Sequence, residues 1–184
     1  MRVIAGKCRS LPLKTLDGLD TRPTTDRTKE TLFNVLQPWI PGASFLDLYA
    51  GSGGIGIEAL SRGAVHAVFV EQARKAVQVI EDNLIFTKLK PDATVLQDSV
   101  MHALPILLEK GETFDCIFMD PPYNHEYEKE VLTWLSTHSM VRDEGIVVVE
   151  ASRQTDMSYV TDLGFTVIRE KIYKTNKHVF LQYN

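Results

Sequence analysis

From residue 44 onward, apolar runs alternate regularly with amphipathic stretches. Runs at 44–48, 65–70, 93–96, 114–119 and 145–150 read as strands, and Ile146-Val147-Val148-Val149 shows no polar alternation at all. Such runs are buried on both faces, which is the mark of a parallel sheet covered by helices. Helical spacing follows the first four: a glycine-rich turn with a helix through about Arg62, then 74–86, 99–108 and 127–136. Pro105 counts against a continuous helix over 99–108. The tail differs. Segments 165–172 and 177–182 flank Tyr173-Lys174-Thr175-Asn176 with no helical stretch between them, so they must pair antiparallel. Ahead of residue 44, short extended segments at 2–5 and 11–16 suggest a small hairpin-like unit. A helix follows, capped by Thr25 or Asp26, buried through Leu32, Phe33, Val35 and Leu36, and ended by Pro38 and Pro41-Gly42. The expected fold is α/β: a doubly wound, mostly parallel sheet with a C-terminal antiparallel hairpin and a small N-terminal hairpin extension. Residues 1–25 are expected to form the extension and 26–184 the main domain.

Composition agrees with one ordinary globular domain: 184 residues, 44% hydrophobic, 24% charged, net charge −4. No run approaches the roughly 20 apolar residues needed to cross a bilayer, and no signal peptide is visible, so a cytoplasmic chain with no membrane partner is expected. Cys8 and Cys116 form no C-x-x-C pattern and read as free thiols. The five histidines form no ligand-spaced cluster, and Lys129 stands where H-E-x-x-H starting at His125 would need its second histidine, so no metal is expected. The modest net charge hides an asymmetry. Residues 1–29 hold seven basic groups (Arg2, Lys7, Arg9, Lys14, Arg22, Arg27, Lys29) against three acids, leaving 13 basic and 21 acidic residues in the remainder. A basic arm on an acidic body suits a protein that touches phosphates with one region only.

Asp47-Leu48-Tyr49-Ala50-Gly51-Ser52-Gly53-Gly54-Ile55-Gly56 falls between a predicted strand and helix. Gly51, Gly53 and Gly56 satisfy G-x-G-x-x-G, which taken alone nominates a nicotinamide enzyme. Glu71, twenty residues after Gly51 at the end of the next strand, is placed to accept hydrogen bonds from a ribose diol. Asp47 changes the choice of ligand, because an acid beside the loop repels a pyrophosphate but not an ammonium or sulfonium group. D-x-x-x-G followed by an acid at the next strand end resembles the nucleoside-binding motif of S-adenosylmethionine-dependent methyltransferases. That resemblance implies cofactor roles for Asp47, Gly51, Gly53 and Glu71, with Tyr49, Ala50 and Ser52 as loop neighbours. Asp98, after the third strand, falls where such enzymes often place an acid near the adenine amine. It also reads as a helix N-cap.

Asp120-Pro121-Pro122-Tyr123 directly follows the apolar strand at 114–119. Two prolines stop the strand and fix a rigid extended turn between an acid and an aromatic. The tetrapeptide matches the (Asp/Asn)-Pro-Pro-(Tyr/Phe/Trp) signature of methyltransferases acting on exocyclic nucleobase amines. An aromatic amine is a poor nucleophile because its lone pair is delocalised into the ring. The signature's resemblance implies that hydrogen bonds from the amine to Asp120 and to the Pro121 carbonyl would localise that pair, while Tyr123 would stack on a base drawn out of its helix.

Arg2-Val3-Ile4-Ala5-Gly6, Thr21-Arg22-Pro23-Thr24-Thr25-Asp26-Arg27, Lys29-Glu30-Thr31-Leu32-Phe33-Asn34-Val35-Leu36 and the run over 47–64 resemble the bacterial small-subunit ribosomal RNA guanine-N2 methyltransferase family, the RsmD type. The resemblance runs nearly end to end. It implies a Rossmann-like methyltransferase sheet and methyl transfer from S-adenosylmethionine to the N2 amine of one guanine in 16S rRNA. Arg22 and Thr24 would lie beside the pocket, and Arg2, Lys7, Arg9 and Arg27 would contact RNA phosphates. Ser10 departs from the family's usual glycine, and the acidic body leaves an assembling ribosomal particle as an alternative to naked rRNA. A monomer is expected. Against this reading stand an adenine-N6 nucleic-acid methyltransferase, which shares the tetrapeptide, and a non-catalytic rRNA-binding assembly factor.

Overall fold

A computed structural model describes residues 1–16 and 25–183. Seven strands form one sheet in the order β3-β2-β1-β4-β5-β7-β6, where β1 is Ser44–Leu48, β2 His66–Glu71, β3 Ala93–Gln97, β4 Phe114–Met119, β5 Val141–Ser152, β6 Phe165–Ile172 and β7 Asn176–Tyr183. The first five pair in parallel, and β7 is antiparallel to both β5 and β6. The expected parallel sheet with a terminal antiparallel hairpin is the fold observed.

Among the described residues, five α-helices cover the sheet: α1 Asp26–Leu36, α2 Gly54–Ser61, α3 Arg74–Phe86, α4 Val100–Glu109 and α5 Tyr127–Leu135. Alternate residues of the central strands feed two separate cores. Phe45, Phe69, Cys116 and Phe118 pack with α1, α2 and α3, whereas Leu46, Val68, Ile117 and Met119 pack with α4 and α5. The chain therefore winds outward from β1 to β3 under one face, then crosses back through α4 to β4. Its direction reverses between β1 and β4, and in open α/β sheets ligands bind at that switch point, beyond the strands' carboxyl ends.

Two local expectations need correction. Helix α4 runs straight through Pro105, which is exposed, so the carbonyl released by the missing N–H lies on the wet face while Val100, Ala103, Leu104 and Leu107 anchor the other side. Strand β5 begins at Val141, not 145. Phe114 pairs with Val141 but Cys116 with Ile146, so the polar residues 142–144 bulge out between two paired stretches.

Residues 1–16 fold back on themselves, with the Val3 N–H donating to the Leu11 carbonyl and the Ser10 N–H to the Val3 carbonyl. This hairpin is pinned to α2. The fully buried Glu58 carboxylate accepts the Ile4 and Ala5 N–H groups at 2.8 and 3.0 Å, and pairs with Arg62 at 2.8 Å and Lys29 at 3.1 Å. Lys29 is itself fully buried and donates to the Arg2 carbonyl. It is an internal strut, not part of a basic surface. Helix α2 is buried along all eight residues because the sheet lies on one side and this hairpin on the other.

Candidate active site

Leu48 stands opposite Met119 in the β1–β4 register, so the loops that open at Tyr49 and Asp120 leave the sheet side by side. On the β1 side, Asp47 is 2% exposed and its Oδ2 accepts the Gly56 N–H at 2.9 Å, capping the first turn of α2 from within the sheet. Burial pushes its carboxyl from the ordinary 3.8 up to about 8; the Gly56 N–H opposes that rise and the nearby Glu71 adds to it. Gly51 and Gly53 take left-handed φ values of 57° and 78°, and a Cβ at Gly51 would meet nothing within 4 Å, which leaves open space over the turn. At Gly56, by contrast, a Cβ would sit 2.3 Å from the Phe69 ring. Tyr49 adopts φ 62°, a strained conformation for an aromatic residue, and the Ala50 N–H donates to the Val70 carbonyl. The Ser52 carbonyl accepts from Asn83 Nδ2.

Glu71 bridges the neighbouring turn, accepting the Gly51 N–H at 2.9 Å and the Ala73 N–H at 2.8 Å. Two acids and a bare glycine turn fit a ligand that offers hydroxyl donors and a positive charge. Asp98 begins the next turn along, where its backbone N–H donates to the Glu71 carbonyl. Ser99, not Asp98, is the N-cap of α4. The Asp98 carboxylate instead accepts from the Ser99 N–H and pairs with His102, whose hydrogen bond holds the carboxyl below its usual range.

On the β4 side, Asp120 is partly buried, and burial, then Glu150, then Asp47 push its carboxyl well above the usual range. Pro121 is buried while Tyr123 is 38% exposed. Beyond the tetrapeptide, Asn124 and Glu126 both take left-handed φ values, of 65° and 55°. That kinked loop brings Tyr127 to 6.5 Å from the Tyr49 ring and His125 to 5.3 Å from Tyr127, an aromatic column linking the two sides of the crevice.

A second cluster beneath Tyr123 escaped the reading of the sequence. The Tyr123 hydroxyl donates to Glu150 Oε1 at 3.2 Å, and that oxygen also accepts from Asn176 Nδ2 at 2.5 Å. Glu150 Oε2 lies 2.9 Å from His178 Nε2, and His178 Nδ1 lies 3.2 Å from the Tyr173 hydroxyl. One signal was present: Glu150 is an acid at the carboxyl end of an apolar strand, as Glu71 is.

The basic candidates divide. Arg2 pairs with Asp26 at 2.8 Å near the start of α1, close to the glycine turn, since Met1 packs against Gly54. Lys7 pairs with Asp92 just before β3, and its N–H donates to Ser61 at the end of α2, placing it at the opposite end of the sheet from the crevice. Arg9, in the same turn, is exposed there, and Arg27 is exposed on the first turn of α1. Arg22 and Thr24 lie outside the described residues. Ser10 keeps the turn that glycine would make, with φ 69°.

The family model described as conserved hypothetical protein 95 matches residues 1–182. Ribosomal RNA small subunit methyltransferase D of Escherichia coli K12 is 36% identical over 172 residues, covering 94% of this chain and 84% of that protein. Its Haemophilus influenzae counterpart is 33% identical, covering 93% and 88%. A solved structure of a hypothetical protein from Thermus thermophilus superposes with a TM-score of 0.84 at 29% identity, covering 98% of both chains. With matches of this extent, the chain belongs to the conserved hypothetical protein 95 family, the methyltransferase D type that its sequence resembles.

Proposed function

We propose that this protein transfers a methyl group from S-adenosylmethionine to the exocyclic N2 amine of a guanine in small-subunit (16S) ribosomal RNA. The adjacency of the two loops carries the reading: an acid-flanked glycine turn and an acid-proline-proline-aromatic turn open side by side at the sheet's switch point. The relatives named as small-subunit methyltransferases support the RNA class.

Glu71 would hold the ribose hydroxyls of the donor, the turn over 49–53 would face its amino-acid portion, and Asp98 would stand near its adenine. Bound there, the donor supplies an electrophilic sulfonium methyl. The Asp120 carboxylate and the Pro121 carbonyl accept hydrogen bonds from the guanine amine and bring its lone pair out of conjugation. As the amine gains positive charge, Asp120 takes the proton released, and its upward shift makes it a better base than an ordinary carboxylate. Tyr123 stacks on the extruded base. Most of the rate gain lies in alignment, which supplies up to about 7–11 kcal/mol in favourable systems. Residues 1–25 act as the RNA-contacting arm of a methyltransferase domain spanning 26–184. Arg22 and Thr24 serve beside the pocket, and Arg2, Lys7, Arg9 and Arg27 contact RNA phosphates, Lys7 and Arg9 farther from the crevice than Arg2. The protein acts as a cytoplasmic monomer.

The test is incubation with tritiated S-adenosylmethionine and, separately, naked 16S rRNA, small ribosomal subunits and DNA, followed by nucleoside analysis. N2-methylguanosine in an RNA sample is the expected product. Methyladenine alone, or no transfer to any RNA, would refute the reading.

A further inference from the structure

Glu150 is a buried carboxylate with three donors trained on it. The β5–β7 pairing sets His178 directly across from it, with Asn176 two residues away on the same face of β7. His178 is fully buried, edge-on to the rings of Phe118, Tyr173 and Phe180 at 6.2, 5.1 and 6.4 Å, and both its ring nitrogens have partners, Nε2 at Glu150 and Nδ1 at the Tyr173 hydroxyl. One carboxylate oxygen meets His178, and the other meets Asn176 and the Tyr123 hydroxyl. Stability alone is a poor reason for this arrangement, because apolar side chains of similar volume often do at least as well as a buried polar cluster. The member of the cluster that reaches the crevice is Tyr123: its hydroxyl is tied inward while its ring is 38% exposed.

We propose that Glu150, fixed by His178 and Asn176 from the terminal hairpin, is a positioning residue that locks the Tyr123 ring in the attitude needed to hold the target base. The proposal rests on the reading of the tetrapeptide as the base-binding slot. Without the anchor, the ring retains its stacking face but loses its fixed tilt, and misalignment at a reacting centre lowers turnover more than binding. The antiparallel hairpin that ends the sheet is thereby part of the active-site apparatus.

A double-mutant cycle tests this, measuring kcat and KM for the rRNA substrate together with thermal unfolding. Tyr123→Phe removes only the hydroxyl and keeps the ring. Glu150→Gln keeps the shape but removes the charge and replaces one acceptor oxygen by an amide donor, which weakens the hold on the Tyr123 hydroxyl. Rates are compared on each variant's pH plateau, because Glu150 also raises the Asp120 carboxyl. Each single variant is expected to lower kcat about tenfold with KM within about twofold, and the double variant should be no slower than the slower single. His178→Gln, which keeps a donor, should retain more activity than His178→Leu. Multiplicative losses in the double variant, or an unchanged kcat in Tyr123→Phe, would overturn the proposal. Loss of folding in Glu150→Gln leaves Tyr123→Phe with Asn176→Ala to complete the same cycle under the same criteria. Wild-type protein that methylates no RNA would defeat the functional reading itself, and the positioning role with it. Active wild type with an indifferent Tyr123→Phe defeats the positioning role alone.

Discussion

Glu71 and Gly51 are joined by a 2.9 Å hydrogen bond in which the carboxylate at the end of β2 accepts the amide of the glycine turn after β1. The same carboxylate holds the Ala73 amide, so one acid sets the shape of two adjacent loops, and in the proposed complex it also holds the donor's ribose hydroxyls. Donor binding should suffer twice on its removal. Glu71→Ala is expected to weaken S-adenosylmethionine binding by about 10- to 100-fold, in line with about 1.5–3 kcal/mol for a charge-assisted hydrogen bond. Calorimetric titration checks this, and an affinity within twofold of wild type would count against the assignment.

Asp47 links the same turn to pH. With its carboxyl raised to about 8, it holds its proton at neutral pH when no cation is near. A carboxyl whose pKa rises on folding contributes stability in full below its unfolded value of 3.8 and loses it as pH climbs towards 8. The unfolding midpoint of ligand-free protein should therefore fall between about pH 5 and 8 more steeply in wild type than in Asp47→Asn. In the proposed complex the donor's positive charge favours the ionised form, so affinity should rise over about pH 6 to 8 in wild type and stay nearly flat in the variant. Superimposable pH curves would contradict the prediction.

Asp120 separates orientation from proton transfer. Asp120→Asn keeps an oxygen that accepts from the amine but cannot take the proton, whereas Asp120→Ala loses both functions. A loss of about 10- to 100-fold is expected for Asn, within the usual range for general base catalysis, and a larger one for Ala. In wild type, kcat should rise with pH as Asp120 ionises, above the ordinary carboxylate range, and this acidic limb should vanish in the Asn variant. A pH–rate profile for both proteins decides it.

The arm makes a prediction about salt. Arg9 and Arg27 are exposed and have no acidic partner among the described residues, whereas Arg2 and Lys7 already face Asp26 and Asp92. Replacing Arg9 or Arg27 by alanine should lower the slope of log affinity against log salt for RNA by about 0.7–0.9 each, and replacing Arg2 or Lys7 by less. Binding isotherms over a salt series provide the measurement.

Gly6 is where the arm touches the body most closely. A Cβ there would lie 1.9 Å from the Ser61 carbonyl oxygen, and its φ of 83° already favours glycine. Gly6→Ala should break the docking of residues 1–16 on α2, lower the unfolding midpoint by several degrees and expose the arm to limited proteolysis. Ser10→Gly should do the reverse, relieving a left-handed serine by up to about 1 kcal/mol.

Where local chemistry decided the outcome, the chain could be read directly. Strand β4 ends where Asp120 and its two prolines say it must, and the glycine turn lies where Gly51 and Gly53 allow left-handed backbone. What stayed hidden depends on distant pairings. Lys29 counts as a surface cation until Glu58 is found beside it inside the fold. Lys7 and Arg9 belong to the basic arm by charge, yet the hairpin carries them to the far end of the sheet. The Glu150 cluster exists only because the β5–β7 register brings Asn176 and His178 to an acid that otherwise reads as the polar end of a buried strand. Pro105 misled because its cost depends on which face of α4 it occupies, and that face is set by the core beneath.

The most direct measurement is a crystal structure with the demethylated donor product bound. The expected result has its ribose hydroxyls on Glu71, its amino-acid end over the turn at 49–53, and its sulfur facing Asp120 across the β1–β4 crevice. A product seated elsewhere, or bound with its sulfur turned away from Asp120, would contradict the account.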